Sequence, residues 1–281
     1  MTALGAILKG TGARRRGFRT GHMPGFGAFS LAFFVYLYAP IALLIMFSFN
    51  ASRSATIWRG FTTDWYYHVL QNSDIQRAVF NSLIVASSAT AIATTVAVLA
   101  ALVLLRGRAF RGQGAMYGFV SLPLMVPEIV TAVATMSFFA IVGISLGLGN
   151  LIIAHTVFCI PFAFLPIRSR LQAMDANYEL AARDLYANEW RAFRHVTLPL
   201  LMPGIISGAL LAFIISLDDV IISLMVAPPG ATTLPVYIYG MVRMGITPAI
   251  NAVSSLLFLL SVVMVTLSWL INRRGIRPGT P

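Results

Sequence analysis

Long apolar runs broken by short polar stretches set the pattern of this chain. The runs lie at about Phe26–Phe49, Val79–Leu105, Ala115–Leu146, Leu151–Ile167, Leu200–Val226 and Ala249–Ile271. Each is near or above the roughly 20 apolar residues that a helix needs to cross a bilayer. They predict an all-α integral membrane protein with six transmembrane helices in one domain, residues 25–272. A basic tail, residues 1–24, precedes that domain, and a short tail, residues 273–281, follows it. The exception to the pattern is Tyr178–Gly204, a long polar island between two membrane-grade runs. In it Glu179, Asp184 and Glu189 alternate with Arg183, Arg191 and Arg194, while Leu180, Leu185, Trp190 and Phe193 recur at roughly helical spacing. By composition this is a solvated loop carrying a short amphipathic helix.

Composition agrees with the pattern. The 281 residues are 58% hydrophobic and only 10% charged, with a mean hydropathy of +0.82, far from the ~45–50% and ~25% of soluble domains. The single cysteine, Cys159, excludes an internal disulfide framework and a cysteine-cluster metal site. A net charge of +11 would suggest nucleic acid in a soluble protein, but its placement points to the membrane instead. Sixteen of the 20 basic residues fall in the N-terminal tail, the loop with Arg106, Arg108 and Arg111, the loop from Arg168 to Arg194, and the C-terminal tail. Arg53, Arg59, Arg77 and Arg243 fall on the other side. The positive-inside rule therefore puts both termini and the polar island in the cytoplasm. A secretory or twin-arginine signal is the competing reading of the basic tail. It is disfavoured because the run from Phe26 is long enough to span and shows no small-residue cleavage pattern.

The loops on the outer side have their own chemistry. Between Asn50 and Gln76 lie Trp58, Trp65, Tyr66 and Tyr67, which read as interfacial aromatics or a short helix lying on the membrane. In a second reading Trp65 faces the translocation path and stacks on a cation. The stretch from Ala227 to Pro248 is rich in turn formers and reads as a loop.

The acidic residues carry the candidate chemistry. Six of the nine lie in loops, and Glu128, Asp218 and Asp219 lie inside apolar runs. A carboxylate at membrane depth is costly and marks a pathway or binding site by default. Glu128 stands 17 residues beyond Arg111 and Asp218 stands 19 beyond Pro199, so both sit roughly 25–30 Å outward at about 1.5 Å per helical residue. Pro123 and Pro127 would free backbone carbonyls beside Glu128. Carboxylates and carbonyls without a basic residue in the same spans favour a cation. Alternatives stay open: Asp218 could pair with Arg243 near the outer interface, and Glu128 could titrate rather than bind. Neighbours differ by about 100° around a helix, so Asp218 and Asp219 would face different surroundings, one making a structural hydrogen bond. His155 and Cys159 are four apart on one face and read as a packed pair, not a metal site. Lys9 is the only lysine and lies in no phosphate-binding loop, so an ATPase, if one drives transport, is another chain.

The island's residue order resembles the EAA loop of ABC-importer permeases, through Ala181, Ala182, Asp184, Leu185, Ala187, Val196, Leu198 and Pro199. The loop's Glu position holds Leu180, with Glu179 one residue early, and its Gly position holds Tyr186. From about Leu31 to Leu270 the chain resembles the second permease of spermidine/putrescine ABC importers. Tyr38-Ala-Pro40, Phe47-Ser-Phe-Asn50, Gly60 to Tyr66, Pro127-Glu-Ile129, Ser216-Leu-Asp-Asp-Val220 and Leu234 to Tyr239 carry that resemblance.

The resemblance implies a type I ABC importer permease fold in the bacterial inner membrane, working by alternating access. Glu128, Asp218, Asp219 and Trp65 would contact a polyamine. Glu179, Leu180, Ala181, Ala182, Asp184, Leu185 and Tyr186 would couple to an ATPase. Implied partners are a second homologous permease, two ATPase subunits that bind the ATP, a periplasmic substrate-binding protein and membrane lipid, with no nucleic acid and no cofactor in this chain. Two other functions remain: the same fold importing another cationic or small organic solute, and a proton-coupled carrier using Glu128 as a relay.

Overall fold

The structure, a computed structural model, describes residues 26–52, 57–175, 177–245 and 247–275. The basic tail, residues 1–24, and the last six residues lie outside them. Two units are described in turn. The first is the helix α1 (Phe26–Phe47), apolar on all sides with Pro40 inside it. A helix with no polar face is suited to lipid rather than water.

The second unit begins at Phe47. The Asn50–Phe61 backbone bridge closes a small loop, after which comes α2 (Asp64–Gln71). The long helix α3 (Ser73–Leu105) is opened by Asn72, whose side chain accepts the amides of Asp74 and Ile75, relieving donors that the first helical turn leaves without partners. Next come α4 (Gln113–Ser121), a 3₁₀ turn at Leu122–Leu124 and α5 (Glu128–Val142). The helix α6 (Leu148–Ala173) leads into α7 (Asn177–Asp184) and α8 (Glu189–Ala192). A π turn at Phe193–Thr197 runs on into α9 (Leu198–Asp218), followed by α10 (Ile221–Val226), α11 (Leu234–Met244) and α12 (Pro248–Gly275).

Among the described residues five helices are long and apolar enough to cross a membrane, and six spans result when α4 and α5 are counted as one bent span. The span read over Ala115–Leu146 is broken where its prolines would free carbonyls: its halves are bent by 105°, at the Pro123 and Pro127 that cannot donate ladder bonds. The run expected over Leu200–Val226 also breaks, at Asp219 and Val220. The turn-rich stretch after it is not all loop, because α11 forms there with Pro235 in its first turn and Gly245 at its end. Pro at a helix start and Gly past its end are helix signals as much as turn signals.

The core is the mutual packing of α3, α6 and α9. Small residues make it possible. On α3 the side chains of Ala86, Ala89, Ala93, Ala97 and Ala101 are wholly buried. On α9, Gly204, Gly208, Ala212 and Ser216 recur every four residues and meet α6 in antiparallel order. A side chain at Gly204 would strike Arg170, and one at Gly208 would lie 2.5 Å from the carbonyl oxygen of Ala163. The Cys159 thiol faces the Ala212 carbonyl at 3.5 Å, and His155 Nδ1 meets Ser216 Oγ at 2.8 Å. In lipid, where apolar burial drives little, such close backbone approach and interhelical hydrogen bonds hold helices together.

Candidate functional site: an acidic break and a polar island

The site is built where two helices are interrupted. The helix α9 stops at Asp218, Asp219 turns extended (φ −65°, ψ 128°), and α10 starts two residues on. Asp219 replaces the lost backbone bonds with its own carboxylate: Oδ1 accepts the Ile222 amide at 3.2 Å and Oδ2 accepts the Ser223 amide at 2.8 Å. Acidic groups are favoured at a helix start, where amides point outward. His155 of α6 reaches the same break. Its Nε2 is 3.4 Å from Asp219 Oδ2 and 3.1 Å from Ser223 Oγ, while Nδ1 holds Ser216 on the other side of the break.

Glu128 arrives from the second interruption. Pro127 adopts ψ 134° and ends the preceding segment, which makes Glu128 the first residue of α5. Because α5 packs on α10, the Glu128 carboxyl comes to lie beside that of Asp219. Glu128 is half-buried and Asp219 is buried.

Asp218 points elsewhere. It is exposed and lines a cavity of about 800 Å³ with Ile214, Ile238, Tyr239, Val242 and Leu257. Its suggested partner Arg243 donates instead to the Tyr239 hydroxyl at 2.6 Å and lies over that ring. Trp65 belongs to a different cluster, with Val69, Ile75, Leu234 and Val253. Its indole N–H donates to the Asn50 carbonyl at 2.8 Å, and its half-buried ring neighbours His68. The structure thus brings Glu128 and Asp219 together, with His155, Ser216 and Ser223 around them, and sets Asp218 and Trp65 apart from that pair.

His155 and the two serines were legible in the sequence only as polar residues in apolar runs. His155 and Cys159 do share a helix face, but no group of three potential metal ligands occurs among the described residues.

The polar island folds as a hairpin of short helices. Leu180, Ala181, Asp184, Leu185 and Tyr186 are exposed, as are Tyr178 and Trp190, whereas Ala182 is buried and Glu179 turns inward. The island therefore offers an apolar, aromatic outer surface. Its first helix ends in a Schellman turn: the Ala187 amide bonds the Ala182 carbonyl at 3.1 Å and the Tyr186 amide bonds the Arg183 carbonyl at 2.9 Å. Tyr186 occupies the left-handed position of that turn, with φ 61°, where glycine is the usual residue. The Glu179 carboxylate pairs with Arg106 Nε at 3.3 Å and accepts from Thr197 Oγ1 at 3.1 Å.

Residues 93–276, which take in the end of α3, all of α6 and α9, the polar island and the acidic break, match the family profile described as the inner membrane component of binding-protein-dependent transport systems. The chain belongs to that family. Among its curated relatives, the spermidine/putrescine transport system permease protein PotC of Haemophilus influenzae is 40% identical over 248 residues, covering 88% of this chain and 96% of the relative. PotC of Escherichia coli K12 is 40% identical over 254 residues, 90% of this chain and 96% of the relative. The E. coli putrescine transport system permease protein PotI is 37% identical over 248 residues, 86% and 88%.

Solved structures share the fold of this inner membrane component. The inward-facing MetNI methionine ABC transporter aligns with a TM-score of 0.62 at 20% identity, over 77% of this chain and 100% of that chain. A bacterial ABC transporter that imports the acidic polysaccharide alginate aligns with a TM-score of 0.64 at 16% identity, over 89% and 93%. The fold is that of a type I ABC importer permease, and the chain is a multi-pass inner membrane transport component.

Proposed function

We propose that this permease carries polyamines inward, as one half of a pore shared with a second homologous permease. The observation that carries the proposal is the meeting of two interrupted spans at the Glu128 and Asp219 carboxyls, with Asp218 open to a neighbouring cavity. Two acidic groups at the ends of broken helices suit a linear polycation, whose ammonium groups want carboxylates and whose methylene stretches want apolar walls. Asp219, held by its own chain, shapes the break. Glu128 and Asp218 face the cargo, and the Trp65 ring stacks on one ammonium. The names of the 37–40% identical relatives support the same cargo. A periplasmic binding protein delivers it. Two ATPase subunits, which bind the ATP, dock on the exposed face of the coupling loop and drive alternating access.

The test is ATP-dependent uptake of labelled spermidine and putrescine in vesicles that hold this permease, its neighbouring subunits and the binding protein. Wild type is compared with Glu128→Gln, Asp218→Asn, Asp219→Asn and Trp65→Leu. The proposal expects uptake in wild type and loss of it in the carboxylate variants with assembly intact, and a raised KM in Trp65→Leu. Uptake at wild-type rates in all four variants would exclude these residues from the path, and a wild type that imports neither amine would exclude the cargo.

A further inference from the structure

Arg106 stands just beyond the end of α3, and its guanidinium is used on two sides at once. Nε faces Glu179 Oε1 of α7 at 3.3 Å. Nη2 donates to the carbonyl oxygens of Leu171 and Met174 at the end of α6, at 3.3 and 3.0 Å. The Leu171 carbonyl lies in the last turn of that helix, where it also takes a long 3.4 Å bond from the capping Met174 amide, and the Met174 carbonyl lies just past its end, both at the negative end of the helix dipole. Glu179 in turn accepts from Thr197, which is buried in the π turn that feeds α9. One guanidinium and one carboxylate thus join α7 to the ends of α3, α6 and α9, the three helices that make up the core. Arginine suits this place because its planar fork can serve a carboxylate on one edge and carbonyls on another, which a lysine point charge cannot reproduce.

We propose that the Arg106–Glu179 pair is the positioning node that carries displacement of the coupling helix α7 into the membrane helices, with Arg106 its central residue. Without the pair, α7 keeps its packing on α8 and the π turn through the buried Ala182, and a push on its outer face would be absorbed locally. With it, the push reaches three helix ends through contacts of 3.0–3.3 Å. This rests on the reading that α7 docks on an ATPase subunit, and is independent of which cargo is carried.

The measurement is ATP hydrolysis by the assembled complex with and without its binding protein, expressed as the ratio of stimulated to basal rate, alongside co-purification of the ATPase subunits. Coupling between sites spans roughly 5–150-fold, so the ratio is expected to fall about tenfold in Arg106→Lys and Glu179→Gln while the subunits still co-purify. Arg108→Gln removes an equal charge from the exposed neighbouring loop and should leave the ratio at its wild-type value. If the Arg106 variants do not accumulate, Thr197→Val, which deletes only the hydroxyl that Glu179 accepts, is expected to lower the ratio. Unchanged ratios in Arg106→Lys, Glu179→Gln and Thr197→Val overturn the node, as does an equal fall in Arg108→Gln. A wild-type chain that assembles with no ATPase subunit overturns the docking reading and the node with it.

Discussion

His155 Nε2 and Asp219 Oδ2 lie 3.4 Å apart with each side chain only 2% exposed, on opposite sides of the contact between α6 and the α9–α10 break. The imidazole also holds Ser216 before the break and Ser223 after it, so a single residue of α6 pins both segments. Replacing it by alanine strands two buried hydroxyls and removes one of the two donors to Asp219 Oδ2, which keeps the Ser223 amide. Each orphaned buried polar group costs about 1–3 kcal/mol. His155→Ala is therefore expected to lower the thermal midpoint of the detergent-solubilised protein markedly. His155→Gln, which can still reach toward Ser223 and Asp219, should lose less. Equal midpoints for wild type and His155→Ala would mean that the network contributes nothing to holding the break.

The α6–α9 contact predicts a steep size dependence at position 208. A methyl group there would sit 2.5 Å from the Ala163 carbonyl oxygen, and that atom belongs to a helix backbone that cannot turn aside. Overpacking of this kind typically costs about 1–3 kcal/mol. Gly208→Ala should destabilise the protein in a reversible unfolding assay, and Gly208→Val should prevent accumulation in the membrane. An alanine variant as stable as wild type would show that the two helices can slide apart freely.

Tyr186 offers a change in the opposite direction. A non-glycine residue in left-handed conformation costs roughly 1–2 kcal/mol, and the Tyr186 side chain, 95% exposed, recovers none of that by packing within this chain. Tyr186→Gly should firm the end of α7, seen as slower hydrogen exchange of the Tyr186 and Ala187 amides that close the turn. Exchange at the wild-type rate would mean that the turn is held by other contacts.

Much of this could be read from the chain. Apolar runs located the spans because the bilayer imposes one length on any helix that crosses it. The polar island stood out by charge, and the rarity of acidic residues in apolar sequence drew attention to Glu128, Asp218 and Asp219. Hydropathy is blind to backbone bonding, however, so the break between α9 and α10 left no trace in it, whereas Pro123 and Pro127 pointed to the one before α5. The turn-rich stretch from Ala227 to Pro248 reads as a loop, although Pro235 and Gly245 bracket a helix within it. Arg106 counted only as a marker of orientation, because its partners Glu179 and Met174 are some seventy residues away and such pairings leave no local trace. Asp218 and Asp219 diverge as neighbours on a helical turn do, because the extended ψ of 128° comes only after Asp219. The four-residue spacing of Gly204, Gly208, Ala212 and Ser216 was there to be seen, and it is the pattern that lets α6 come close.

The two interruptions also decide where this subunit is soft. A helix resists bending because every turn is tied to the next, and it yields where that ladder is cut. Here both cuts lie at the level of the Glu128 and Asp219 carboxyls, so two joints of the scaffold lie beside the charge itself. The 33 residues of α3, about 50 Å of helix at ~1.5 Å per residue, run without a proline to Arg106. A compliant joint at one level and a stiff strut beside it make a lever: a small tilt around the carboxyls emerges as a larger sweep at the far end of the strut.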